Sequence, residues 1–205
     1  MQDVSKVLAL GAHPDDLELG CGATLAKLTA AGVDVHAVVF THGNKGTEEG
    51  VDRAAETRNA LTHLGVPYIH LHSFPDTRLH ECLNDVIYTI ERHVTEIEPD
   101  RVYTMFAEDR HQDHRAVYQA SAVACRQVRQ MLAYETPSSY PNFIPTVFEP
   151  VDDFIERKVQ ALKLHTSQGE RLYMHEDKIR SAAQFRGVQV DLGQTEGFIP
   201  YKLIL

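Results

Sequence analysis

Basic residues are the scarce charge in this 205-residue chain: 20 Lys and Arg stand against 29 Asp and Glu, for a formal net charge of −9. No dense basic run offers a footprint that would neutralise phosphates, which argues against nucleic acid as a partner. Cysteine is scarcer still. Cys21, Cys82 and Cys125 are odd in number and form no CxxC pair, so no disulfide framework is expected and a reduced, cytoplasmic setting is the default. No unbroken apolar stretch reaches membrane-spanning length, and the polar residues 1–6 carry no export signal, so neither insertion nor export is expected. Repeats, low-complexity segments and dividing linkers are missing too. Residues 1–205 therefore read as a single domain, large enough to bury roughly 70% of its unfolded surface.

What is present is an alternation. Val4 to Ala12 is a short apolar run, and Leu17, Cys21, Leu25 and Leu28 then share one helical face that Gly32 ends. Val33 to Thr41 reads as a strand covered on both faces. A helix from about Asp52 to Gly65, a strand from Tyr68 to His72, a helix from about Leu83 to Ile97 and a strand from Arg101 to Phe106 follow. The spacing of Ala116, Val117, Ala120, Val123, Ala124, Val128 and Met131 predicts one further helix with these residues on its buried face. Four prolines mark Glu135 to Pro150 as a surface loop, with a short strand near Thr146 to Phe148. Helices are expected from Asp152 or Asp153 to about His165 and over Glu176 to Phe185, with a terminal strand over Ile199 to Leu205. The βαβαβ order predicts an α/β fold around a mostly parallel sheet, with ligands bound at the carboxyl ends of the strands.

Two motifs lie at such ends. In His13-Pro14-Asp15-Asp16 the proline disfavours helical geometry at His13, so the imidazole stays extended at the strand's end while the chain turns through two carboxylates. An imidazole and a carboxylate suit Zn²⁺, which in hydrolytic sites keeps three protein ligands and one open position. The second carboxylate is then free to act as a base. His111-Gln112-Asp113-His114, also between a strand and a helix, can supply the missing ligand. The competing readings are structural: a helix-capping Asp in the first motif, and a surface salt bridge at a helix start in the second.

Arg53 follows the glycine-rich loop 42–50 and Asp76 follows the third strand, so both are candidates for hydrogen bonds to substrate hydroxyls. Glu56, one turn beyond Arg53, is placed to hold it by an i,i+3 pair. The plain alternative is a solvated helix pair and a turn aspartate. Gly20-Cys21-Gly22 lacks the third glycine of a dinucleotide fingerprint and follows two carboxylates that would repel a pyrophosphate, so it reads as a place of close packing. His36, His42, His63, His70, His72, His80, His93, His165 and His175 show no second ligand at useful spacing. Most are expected to be structural or solvated, with only His42 placed near the site rim.

AHPDD followed by LELGCGATLAKL, then a distant HQDH before a helix, resembles the LmbE-like (PIG-L) de-N-acetylase family across nearly the whole chain. Smaller matches are Arg53-x-x-Glu56, Phe74-Pro75-Asp76, Tyr134-Glu135, His165-x-Ser167-Gln168 and Glu196-x-Phe198. The resemblance implies a Rossmann-like three-layer fold, a zinc ion held by His13, Asp16 and His114, and Asp15 as general base. It further implies that His111 assists the tetrahedral intermediate, that substrates are N-acetylglucosamine-type sugars and their conjugates, and that the protein is a homo-oligomer. In chemical terms, a protonated His111 oriented by Asp113 would stabilise the oxyanion and protonate the leaving amine. Some family members carry a tyrosine two residues before the position of His111, where this chain has Asp109, so oxyanion stabilisation must be arranged differently here.

The expected function is thus zinc-dependent removal of an acetyl group from an N-acetylated amino sugar or its conjugate. A His₂Asp set also accepts other divalent ions. A metal phosphoesterase is a competing class, weakened because such enzymes commonly use two metals and one convincing ligand set is seen. A sugar-binding protein without catalysis is a third, and no ligand or base has been lost to suggest it.

Overall fold

The computed structural model describes residues 4–46 and 50–204. Thr47, Glu48 and Glu49 of the expected loop, residues 1–3 of the polar start and the final Leu205 lie outside the described residues. Strand β1 (Lys6–Gly11) is buried at every position after Lys6, as a strand covered on both faces must be. It is followed by α1 (Asp16–Ala30), β2 (Asp34–Val39), α2 (Arg53–His63), β3 (Tyr68–Leu71), α3 (Leu83–Ile97), β4 (Arg101–Met105), α4 (Gln112–Ala124) and β5 (Gln130–Tyr134). Then come β6 (Val147–Pro150), α5 (Ile155–Lys163), α6 (Glu176–Val188) and β7 (Thr195–Leu203).

The seven strands form one sheet in the order β3-β2-β1-β4-β5-β7-β6. Strands β1 to β5 pair in parallel, whereas β7 runs antiparallel to both β5 and β6. Helix α3 packs beside α4, while α5 packs against α1 and α2, so helices flank the sheet as the α/β reading required. From β1 the chain winds outward to β2 and β3, and from β4 it winds the other way to β5. The carboxyl ends of β1 and β4 therefore meet at a topological switch point, where the loops diverge and leave a crevice. No helix among the described residues is long and apolar enough to cross a membrane.

One helix expectation is corrected. Helix α4 stops at Ala124, and Val128 and Met131 are buried through a turn and a strand instead. The apolar residues of β5 extended the helical spacing by coincidence, with no Gly or Pro between them to mark the break. Val123, placed on the buried face by that reading, is 48% exposed. Asp152 does not cap α5 either; its Oδ1 accepts from Gln194 N at 2.8 Å.

Helix α1 is broken at Cys21, whose φ of −141° is not helical. The backbone N–H groups that the break leaves over, those of Ala23 and Thr24, donate to the Glu196 carboxylate on β7 at 3.2 and 2.7 Å. Lys158 on α5 neutralises that carboxylate at 2.7 Å. Just before the break, a Cβ at Gly20 would collide with the ring of Tyr134, so the helix approaches β5 as closely as only glycine allows.

Candidate active site

The turn after β1 is built by its own side chains. The backbone N–H of His13 donates to Asp16 Oδ2 at 2.7 Å, closing the loop onto the first residue of α1. Between them Asp15 takes the left-handed conformation, φ 88°, which costs a non-glycine residue about 1–2 kcal/mol. Asp15 makes no side-chain capping bond to α1, so the strain is not repaid by helix capping. After β4 the chain enters α4 with His111 as its N-cap: the backbone N–H of Asp113 donates to His111 Nδ1 at 3.2 Å. His114 lies in the first turn of the same helix.

These two turns face one another across the switch point. Asp16 sits between two imidazoles, with Oδ2 3.3 Å from His13 Nδ1 and Oδ1 3.3 Å from His114 Nε2. All three side chains are buried. Donors held about 2.0–2.1 Å from a tetrahedral ion are about 3.3 Å apart; each Asp16–imidazole separation has that length, through a different oxygen of the carboxylate. The groups whose ligand atoms fall within 4.8 Å of one another among the described residues are His13, His111 and His114, and His13, Asp76 and Asp113; neither includes Asp16.

The far nitrogens of both imidazoles are held by carboxylates. Asp113 Oδ2 lies 3.1 Å from His13 Nε2 and accepts from Thr77 N, while its Oδ1 accepts from Leu79 N. Asp109 Oδ2 lies 3.1 Å from His114 Nδ1, and the same carboxylate accepts from His111 N, Thr136 Oγ1 and Ser138 Oγ. Such partners fix the tautomer and rotation of a metal-binding imidazole.

The electrostatics agree with a cation seat. Burial works against a charged His13, yet its bonds to Asp113, Asp16 and Asp76 raise its pKa well above the ordinary value. His114 is likewise carried up to about 9, against burial, by Asp16 and Asp109. Asp16 would be raised by burial but is held well below the usual carboxylate range by His114 and His13. Burial, then the charge of Asp16, pushes Asp15 up to about 7, against the pull of Arg53.

The side-chain partners differ from several expectations here. The Asp113 carboxylate does not orient His111; it turns to His13, and only its backbone N–H reaches His111. Because His111 Nδ1 accepts that bond, the neutral ring carries its proton on Nε2. Burial, then the charges of His13 and His114, lowers its pKa. Arg53, expected to meet substrate hydroxyls, is already engaged: it donates to Gly43 O at 2.9 Å, to Pro14 O at 2.8 Å and to Asp15 Oδ2 at 3.1 Å. The loop glycines make room for it, since a Cβ at Gly43 would stand 2.5 Å from Arg53 Nη1. Asp76 also has protein partners, accepting from Lys45 N at 2.6 Å and lying 3.4 Å from His13 Nε2. Glu56 bonds Thr166 and Ser167 rather than Arg53.

Asp15, Asp16, His13, His111, His114, Arg53 and Asp76 all line one cavity of about 330 Å³, together with Gln168, Arg171 and Tyr173. Several residues of this environment had no role assigned to them from the sequence. Asp109 was noted only as a departure from the family pattern, though a carboxylate near a histidine pair is the expected orienting partner. Buried His165 pairs with Glu18 at 3.0 Å, and Glu18 follows the first motif by only two residues. Tyr173 and Arg171 arrive from the C-terminal half, where no pattern pointed at the site.

A family model described as PIG-L, GlcNAc-PI de-N-acetylase, matches residues 8–125. The chain is 53% identical over 168 residues to the uncharacterized deacetylase YaiS of Escherichia coli, covering 78% of this chain and 90% of that one. It is 29% identical over 189 residues to diacetylchitobiose deacetylase of Thermococcus kodakarensis, covering 81% and 71%. The crystal structure of N,N'-diacetylchitobiose deacetylase from Pyrococcus horikoshii superposes with a TM-score of 0.81 at 25% identity, over 97% of this chain and 84% of that one.

Proposed function

The chain belongs to the PIG-L family and is a deacetylase, and from that premise we propose that it hydrolyses the acetamide of an N-acetylated amino sugar or a conjugate of one. Zinc is the first-choice cofactor, with His13, Asp16 and His114 as its ligands. Residues 1–205 act as one deacetylase domain, in keeping with a sheet that joins β1 at one end of the chain to β7 at the other. The observation that carries the reading is the Asp16 carboxylate between two imidazole nitrogens, each 3.3 Å away, with buried Asp15 next to it.

A divalent ion at these donors supplies an electrophile for the acetamide carbonyl and favours ionisation of a water. The rest falls to the chain's own groups. Asp15, with a pKa near 7, is matched to take a proton from the attacking water at neutral pH and to return it to the departing amine. Arg53 anchors the Asp15 carboxylate, so its second oxygen is the one turned to the water. His111, with its proton on Nε2, donates to the oxygen that gains charge as the carbonyl becomes tetrahedral. Water adds to the carbonyl carbon, the C–N bond breaks, and acetate and a free amine result.

The test is acetate release from N-acetylglucosamine, diacetylchitobiose and larger N-acetylated conjugates, using protein stripped by chelator and then reloaded with zinc. Acetate should appear on reloading and not before. Zinc-loaded protein that releases phosphate from an aryl phosphate and no acetate from any amide would overturn the reading.

A further inference from the structure

Beside the catalytic cavity lies a second one of about 250 Å³, and the two share a wall: Leu19, Thr136, Pro137 and Tyr173 line both. Helix α6 forms much of the rest. Ile179, Ala182, Ala183 and Arg186 recur on it at three- and four-residue spacing, so one stripe of the helix faces the cavity. None of Asp15, Asp16, His13, His111 or His114 reaches this space, and the hydrolysis of an acetamide makes no use of it.

The charged groups that line it are mostly spent on one another. Arg186 donates to both oxygens of Glu135, at 2.7 and 2.6 Å. Lys158 gives one bond to Glu196 and another to Leu19 O, each at 2.7 Å. The two lining threonines are engaged as well, Thr136 Oγ1 with Asp109 Oδ2 and Thr195 Oγ1 with Gly193 O. Lys178 is exposed and lies 3.0 Å from Asp177. What is left for an occupant is the apolar surface of Leu19, Pro137, Ile179, Ala182 and Ala183 beside the ring of Tyr173. A second sugar ring would surrender the water on its hydroxyls there and find few groups free to replace it, whereas an alkyl or aryl group gains from the same burial. The ridge between the cavities also reaches the surface, since Pro137 and Tyr173 are exposed, so one molecule can lie across it.

We infer that the second cavity is an aglycone subsite for an apolar alkyl or aryl group carried by the N-acetylated sugar. The inference rests on the sugar substrate proposed above and narrows it to apolar conjugates. An acetyl group ends at its methyl, so an apolar extension that fills a neighbouring cavity has to come from the sugar's side of the amide.

The test compares the phenyl and methyl glycosides of N-acetylglucosamine, by acetate release and by calorimetric binding to the zinc-loaded protein. One methylene in an apolar pocket is worth about 10–200-fold, so the phenyl glycoside should have a KM and a Kd lower by at least about tenfold. Ala182 is an exposed helix residue on the lining stripe, so it can be enlarged without opening the core. Ala182→Phe, which fills the cavity, and Ala182→Asp, which makes its wall polar, should each bring the two glycosides together, with the melting temperature showing that both variants fold. No phenyl advantage in binding, or one that survives both substitutions, would overturn the subsite. A 4-carboxyphenyl glycoside bound more tightly than the phenyl would overturn its apolar character. Preference for an N-butyryl over an N-acetyl sugar that Ala182→Phe abolishes would put the acyl chain there instead of the aglycone. A phenyl advantage in binding that depends on Ala182, with no acetate released from either glycoside, would uphold the subsite and sink the proposed reaction.

Discussion

Arg53→Ala separates two roles for one residue. The guanidinium lies 3.1 Å from Asp15 Oδ2, and both side chains are buried. Opposite charges about 4 Å apart interact by about 4 kcal/mol at an effective dielectric near 20, and the cost of desolvating the pair takes back part of that. A net loss of about 1.4–3 kcal/mol moves the Asp15 pKa up by one to two pH steps. Starting from about 7, where half the carboxylate is ionised at neutral pH, the basic form drops to about 1–10%. The sign follows from its role: a base loses activity as pH falls through its pKa, so raising that pKa shifts the acid limb of the profile to higher pH. A bound cation displaces wild type and variant together and leaves the difference. The acid limb of the acetate-release profile should therefore lie one to two pH steps higher in the variant, a loss of about 10- to 100-fold on that limb that recovers in more alkaline buffer, with zinc content unchanged. Arg53→Lys, which keeps the charge, should fall less. An acid limb that stays in place, with KM raised for sugars alone, would refute this reasoning and return Arg53 to hydroxyl binding.

Asp15→Asn should keep zinc, because Asp15 is outside the proposed ligand set and Asn tolerates a positive φ, yet lose about 10²–10⁴-fold in turnover; since it also takes the charged partner from Arg53, zinc content and acetate release are compared per folded molecule on one preparation. Asp109→Asn weakens the hold on His114 Nδ1 and should cost about 10–100-fold in zinc affinity, read by competition with a chromophoric chelator. Gly20→Ala drives a methyl into the Tyr134 ring and should destabilise the fold by about 1–3 kcal/mol or more, visible as a lower urea midpoint.

Much of this protein can be read from its sequence where one physical cause acts alone. Helix α3 runs from Leu83 to Ile97 as its periodicity predicts, and Pro14 marks the turn that carries the first motif. Legibility ends where two causes overlap. Met131 keeps helical phase with Ala120 and Ala124 yet lies in a strand, because buried parallel-sheet residues and a buried helix face are both simply apolar. Asp113 is adjacent to His111 in the chain, but it is at the start of a helix whose side chains diverge, and its carboxylate meets His13, a hundred residues away. Arg53 follows a flexible-looking loop, and only the fold reveals that Gly43 and Gly46 are small in order to wrap it. The contact of His72 Nε2 with His93 Nε2 at 3.0 Å is invisible for the same reason: the two are neighbours through the end of a strand and a helix, not through spacing.

The carboxylate that completes the broken first helix belongs to residue 196. All three proposed cation donors have left the ribosome once His114 has, but the N–H groups of Ala23 and Thr24 wait for Glu196, 82 residues later. At roughly 5–20 residues per second, that interval is about 4–16 s of synthesis. During it Asp16 begins a helix whose Ala23 and Thr24 N–H groups have not yet met Glu196. The site is thus written early in the chain and finished late, and a message truncated before β7 yields ligands without a seat to hold them.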